Sequence, residues 1–181
     1  MRAPGPFAEA EGEAFTVVSR GDLVEGRLLL GSARGPSPLV VVTPALGSDR
    51  CACSVATLCR ALRQAGLSAA AIDLPLQGER ASAKLSDRLV RSATQRERAD
   101  ADRLLWEEFL RQSAHDLSAT CAALARRPEI RGERIGCVAF EPGAEAAAAW
   151  AARDARVRIC LAVATDVDPE RIARQLREQL A

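Results

Sequence analysis

At 181 residues, 48% apolar and 27% charged, the chain suits one soluble domain with a sizeable core. A net charge of +1 leaves no electrostatic footprint for nucleic acid or an anionic membrane surface. No stretch approaches the ~20 apolar residues of a membrane-spanning helix.

The N-terminus, Met1-Arg-Ala-Pro-Gly-Pro6, has no apolar signal-peptide core. The expected compartment is therefore the cytoplasm, where the Cys at 51, 53, 59, 121, 137 and 160 are reduced thiols. Residues 1–12 read as a loose Pro/Gly/Ala-rich lead-in, and residues 13–181 as one domain.

In chain order, residues 13–19 and 23–30 read as two strands around the turn Arg20-Gly21-Asp22. A Gly/Pro/Ser loop spans 31–38. The run Pro38-Leu-Val-Val-Val-Thr43 has the continuous β-branched character of a strand buried on both faces. Residues 51–65 read as a helix with Val55, Leu58 and Leu62 on one face and Gly66 as its stop. A further buried strand covers 68–74, followed by a polar, turn-rich loop to about residue 87. From about 99 to 127 the pattern is helical. There Leu110, Ala114, Leu117, Cys121 and Leu124 keep one apolar stripe, and the mixed-sign run 95–103 reads as its solvated start. A strand over 135–140, a helix over 143–153 and a strand over 157–164 come next. The last helix starts at Asp168, an N-cap, with Pro169 behind it. Ile172, Leu176 and Leu180 form its apolar face. This order predicts a three-layer α/β/α sandwich whose sheet is mostly parallel, with antiparallel strands at the N-terminus.

The segment Arg134-Ile-Gly-Cys-Val-Ala-Phe-Glu-Pro-Gly143 carries the most chemical information. Strand, sharp turn and helix in that order resemble the nucleophile elbow of the α/β hydrolases, where Ser occupies the centre of Gly-x-Ser-x-Gly. Here the five positions are Ala139, Phe140, Glu141, Pro142 and Gly143. Residues 22–30, 38–47, Ala71-Ile-Asp-Leu-Pro-Leu-Gln-Gly-Glu-Arg80 and 134–150 extend the resemblance. Within that superfamily the chain is most similar to the dienelactone-hydrolase and prolyl-oligopeptidase-like branch. Those proteins often carry Asp-x-Pro-x-His-Gly after their fourth strand, which here reads Asp73-Leu-Pro-Leu-Gln77-Gly78.

The resemblance implies the scaffold without the activity. Glu141 fills the nucleophile slot, and a carboxylate is a poor substitute for a base-activated Ser. Pro142 has no N–H for the oxyanion hole, a loss that typically costs roughly 10²–10³ in rate. The family's His-Gly-x-x-Gly after the third strand is replaced by Thr43-Pro-Ala-Leu-Gly47. The seventh and eighth strands, whose loops bear the family's Asp and His, have no counterpart here, and His115 is the only His. The expectation is a shortened, catalytically degenerate α/β-hydrolase fold acting as a binding or assembly module.

Its ligand pocket is expected at the strand C-termini, lined by Thr43, Pro44, Ala45, Leu46, Gln77, Glu141 and Pro142. The alternative is an esterase- or peptidase-class hydrolase with a substitute thiol, Cys51 or Cys53, near a helix start, or with a His supplied by another chain. Cys51, Cys53 and Cys59 have no established zinc spacing, so neither metal nor cofactor is expected. His115 reads as a solvated helix-face residue. The sixth strand is expected at the sheet edge, where the last helix covers it or where a second copy or a protein partner pairs with it.

Overall fold

A computed structural model describes residues 7, 11–32, 35–93 and 99–181. Most of the 1–12 lead-in, the centre of the 31–38 loop and residues 95–98 of the mixed-charge run lie outside them. The strands are β1 (Glu13–Ser19), β2 (Asp22–Leu29), β3 (Ser37–Thr43), β4 (Ser68–Ile72), β5 (Ile130–Phe140) and β6 (Val157–Val163). The helices are α1 (Cys53–Gln64), α2 (Leu85–Ala93), α3 (Asp100–Leu124), α4 (Ala144–Ala151) and α5 (Pro169–Leu180).

The six strands form one sheet in the order β1-β2-β4-β3-β5-β6. β1, β2 and β4 pair antiparallel, and β4, β3, β5 and β6 pair parallel. A β-branched strand with no polar alternation needs cover on both faces. β3 has it, since all seven of its residues are buried. Alternate side chains then feed two cores. Val40 and Val42 face α1 and α5, together with Val55, Leu58, Leu62 and Leu176. Leu39 and Val41 face the other layer, with Trp106, Phe109, Leu117 and Trp150 of α3 and α4. The three-layer reading and the mixed sheet are therefore correct.

Two local expectations change. Residues 85–93 form a helix that the pattern did not announce. α2 fully buries only Leu89 and Ser92, with Val90 and Ala93 packed at the core's margin; its stripe is short and abuts the polar loop before it. Its start is tied instead by serines: the Ser82 amide donates to Ser86 Oγ at 2.9 Å, and Ser86 Oγ donates to the Leu76 carbonyl at 2.7 Å. β5 also starts earlier than residue 135. Ser37 pairs with Ile130 and Pro38 with Arg131, after which Leu39 pairs with Ile135. The polar residues between are looped out as a bulge, which hid the strand's first turn of pairing.

α5 follows its signals. The Asp168 carboxylate accepts the amides of Glu170 and Arg171, and Pro169 occupies the first turn. The helix packs on α1, β5 and β6 through Ile172, Ala173, Leu176 and Leu180. It therefore roofs one face of the sheet over β5 and β6. Among the described residues β6 pairs with β5 alone, and no helix is long and apolar enough to cross a membrane. Leu176 is fully buried whereas Leu104 is 61% exposed. In urea denaturation Leu176→Ala is expected to lose about 2–5 kcal/mol, and Leu104→Ala less than about 0.5 kcal/mol.

Candidate functional site

The C-terminal ends of β3, β4 and β5 converge on one side of the sheet, the place where parallel α/β sheets bind ligands. β5 runs straight into the degenerate turn, because the Glu141 amide donates to the Val163 carbonyl of β6 at 2.9 Å. Glu141 and Pro142 are both exposed, the bond between them is cis, and Gly143 takes φ 120° ahead of α4. The Leu46 amide, from the loop after β3, donates to the Pro142 carbonyl at 2.7 Å. That single bond decides what the turn can do. An oxyanion hole of this type takes one N–H from the residue after the nucleophile and one from the β3 loop. Pro142 has no N–H to offer, and the Leu46 N–H is already engaged by Pro142 itself. A Cβ placed on Gly143 would sit 3.7 Å from the Leu46 nitrogen, so the two loops close against each other.

On the β4 side a buried carboxylate organises the strand ends. Asp73 is 1% exposed. Its Oδ1 accepts the Arg50 amide at 2.7 Å, and its Oδ2 accepts the Arg50 guanidinium and the Glu79 amide, the latter at 3.3 Å. Arg50 also reaches Glu25 at 3.0 Å and Glu79 at 2.7 Å. Gly78 adopts φ 53° and lies so close that any Cβ there would overlap the Asp73 carboxylate. The Gly of Asp73-Leu-Pro-Leu-Gln77-Gly78 is thus a close-approach glycine. A hydrogen bond to the neighbouring Glu79 carboxylate, which Glu25 donates when protonated, raises the Glu25 carboxyl above its usual range. Arg50, and then Glu25, hold Glu79 below it. A second buried carboxylate, Asp116 of α3, takes Arg80 at 2.6 Å and Gln112 at 2.9 Å.

Among the residues singled out from the sequence, Thr43, Pro44, Leu46 and Gln77 are buried and Ala45 is half-buried. Gln77 alone of the seven expected pocket residues lines the roughly 410 Å³ cavity at the strand ends, with Gly47, Ser48, Gly78, Val90 and Arg91. The expected single cleft is divided, because the Leu46–Pro142 bond seals the β5 side while the cavity opens between the β3 loop, the β4 loop and α2. Sequence reasoning missed α2 as a wall and missed Arg50 as the partner of Asp73.

Cys51 and Cys53 flank the start of α1. The Cys51 amide donates to Asp49 Oδ1 at 2.7 Å, and burial pushes its thiol up, against the opposing pull of Arg50. A raised thiol is less thiolate at neutral pH, the reverse of an activated nucleophile. Cys53 is exposed and lines a separate cavity of about 330 Å³ with Phe140, Thr165 and Val167. His115 stands exposed on α3, its Nε2 3.0 Å from an Arg20 guanidinium nitrogen. It borders a concavity of about 710 Å³ between α3 and the end of α4. That groove lies on the α3/α4 layer, whereas Cys51 packs with the α1/α5 core on the other face of the sheet. The structure brings no thiol, carboxylate and imidazole together there. Among the described residues no group of three His, Cys, Asp or Glu could hold a metal ion.

Removing the Asp73 carboxylate takes from Arg50 its buried partner and leaves it the more exposed Glu25 and Glu79. Asp73→Ala is expected to lose about 3–5 kcal/mol in urea denaturation, as removal of one partner of a buried pair does. Arg127→Ala, which breaks an exposed pair with Glu13, is expected to lose at most about 1 kcal/mol.

No family model matches this sequence, and no curated protein does. Solved structures do. A cold-adapted esterase from an Arctic intertidal metagenomic library is similar with a TM-score of 0.63 at 20% identity, over 82% of this chain and 58% of the esterase. A hypothetical protein from Pseudomonas aeruginosa has a TM-score of 0.63 at 21% identity, over 86% of this chain and 43% of its own. The α/β hydrolase GrgF from Penicillium sp. sh18 has a TM-score of 0.62 at 16% identity, over 83% of this chain and 44% of its own. The chain therefore spans less than two thirds of the length of these structures. Identity at this level speaks for architecture and leaves activity open. Sheet order, strand-end turn and these neighbours agree: the chain has an α/β-hydrolase-like fold matching part of the larger hydrolases.

Proposed function

We propose that this chain is a catalytically degenerate α/β-hydrolase-like protein that serves as a binding or assembly module. The observation that carries the reading is the Leu46 amide bound to the Pro142 carbonyl at 2.7 Å, next to a proline with no amide of its own. Stabilising the developing oxyanion is usually the largest single contribution to acyl-transfer catalysis; here Pro142 has no amide to give and the Leu46 amide of the β3 loop is engaged. Glu141 in the nucleophile slot and His115 on the α3/α4 layer support the same conclusion. What remains at the strand ends is a cavity of about 410 Å³, within the size range of small-molecule sites.

The assembly side of the proposal concerns β6. Its Val157, Ile159 and Leu161 are half-buried, and no strand pairs on its outer side among the described residues. An apolar edge of this kind favours pairing with another strand, from a second copy or a partner protein.

The competing reading is an esterase- or peptidase-class hydrolase that uses Cys51 or Cys53, or a His from another chain. Purified protein offered p-nitrophenyl acetate and butyrate is expected to give no saturable turnover and no labelling by a fluorophosphonate probe. Saturable turnover that disappears in Cys51→Ala/Cys53→Ala would replace the binding reading with the thiol one. For the edge, light scattering is expected to give a mass that rises with concentration, and Leu161→Lys is expected to remove that rise. A monomer mass constant across concentration for the unaltered protein would defeat self-pairing.

A further inference from the structure

The cavity between the β3 loop, the β4 loop and α2 contains an unsatisfied recognition group. Gln77 is 2% exposed, and neither its Nε2 nor its Oε1 has a hydrogen-bond partner. Buried side-chain amides are almost always satisfied, and leaving one unpaired costs its full desolvation. The orphan state does not come from a loose loop. The Gln77 amide donates to the Leu74 carbonyl at 3.2 Å, and its carbonyl accepts the Arg80 amide at 2.9 Å. Gly78 beside it is locked against Asp73 by the close approach described above. The backbone is held, and the side-chain carboxamide is left open.

We propose that this cavity binds a small molecule presenting an N–H and a C=O side by side, as in a lactam, a ring imide or a primary carboxamide, to the carboxamide of Gln77. The proposal deepens the binding-module reading and rests on it. A carboxamide offers donors on Nε2 and an acceptor on Oε1, so its full complement is a group with one acceptor and one donor along one edge. A carboxylate would answer only Nε2 and leave Oε1 facing negative charge. An ammonium would answer only Oε1. The remaining walls suit a compact ring. Leu76, Ala81 and Val90 supply apolar surface beside the polar Ser48, Asp87 and Arg91, and Gly47 leaves space where a side chain would intrude. A Cβ on Gly47 would come within 3.1 Å of Val90 Cγ2. Ser86, also in the wall, is already engaged with Ser82 and Leu76, whereas both polar atoms of the buried Gln77 carboxamide lack a partner.

The test is a titration with 2-pyrrolidinone and with uracil, followed by calorimetry and by backbone amide NMR. N-methyl-2-pyrrolidinone, which keeps the ring and the carbonyl but has no N–H, serves as the control. Saturable binding is expected for at least one of the first two, with shifts confined to signals around Gly47, Gly78 and α2. N-methylation is expected to weaken binding at least tenfold. Gln77→Leu should lose binding by a similar factor, and Gln77→Glu should lose it while keeping the shape of the side chain, which guards against misfolding of the leucine variant. Equal binding of the N-methyl control, unchanged affinity in both variants, or no saturable binding of either probe would overturn the proposal. In that last case the orphan amide is satisfied by water alone. Ester hydrolysis measured on the same samples separates the two ideas: turnover sinks the binding-module reading, whereas absent turnover with absent lactam binding removes only this ligand class.

Discussion

The strand ends depend on one buried carboxylate. Asp73 sits at the end of β4 with the backbone and guanidinium of Arg50 on one side and the Glu79 amide on the other. A charge so nearly excluded from water is tolerated only when its lone pairs are met. The chain meets them by drawing three segments together: the loop before α1, the turn after β4, and Glu25 of β2 through Arg50. Gly78 is required because the carboxylate occupies the space of a side chain. The same constraint fixes Gln77, one residue earlier, and so the wall of the cavity. An ion pair between Arg80 and Asp116 then ties this turn to α3, on the opposite layer from α1.

The two halves of the strand-end side differ in this arrangement. The β3–β4 half keeps a rigid, hydrogen-bonded frame around a cavity. The β5 half has been closed, because Leu46 and Pro142 satisfy each other across the gap where a substrate carbonyl would be polarised. An amide hydrogen bond formed within the protein is not neutral toward function. It lowers the energy of the resting turn, and any acyl substrate would have to break it before receiving the same donor. Strand pairing of Glu141 with Val163 adds to this, since it extends β5 through the residue that should stand proud on a tight turn.

Much of the architecture was legible from side-chain chemistry. The β-branched run of β3, the stripe of α3 and the Asp168-Pro169 start of α5 report local requirements, and local requirements survive in a sequence. The elbow was legible too, because Pro142 states its own deficit. What escaped were features made by partners far apart in the chain. Arg50 and Asp73 are separated by 23 positions, and nothing in either local sequence pointed to the other. α2 is only nine residues long and is anchored by serine hydrogen bonds, so its short stripe was read as part of the polar loop before it. Gln77 was placed at the pocket by motif position, but its orphan amide follows from what the surrounding loop lacks, and a sequence does not display an absence of partners.

Binding without turnover is a consistent endpoint for such a site. Rate enhancement comes only from interactions that strengthen as the transition state forms. The oxyanion donors were those interactions, and the turn now uses up one and omits the other. A buried carboxamide such as Gln77 acts differently, since it meets a ground-state amide edge whose charges do not change during binding. Its interaction is uniform along any reaction coordinate and contributes affinity alone. On the proposed reading, the residues held rigid by Asp73 serve recognition without any contribution from Glu141 and Pro142 to acyl chemistry. A frame held by a buried ion pair does not depend on the catalytic turn, so the one can persist while the other is lost.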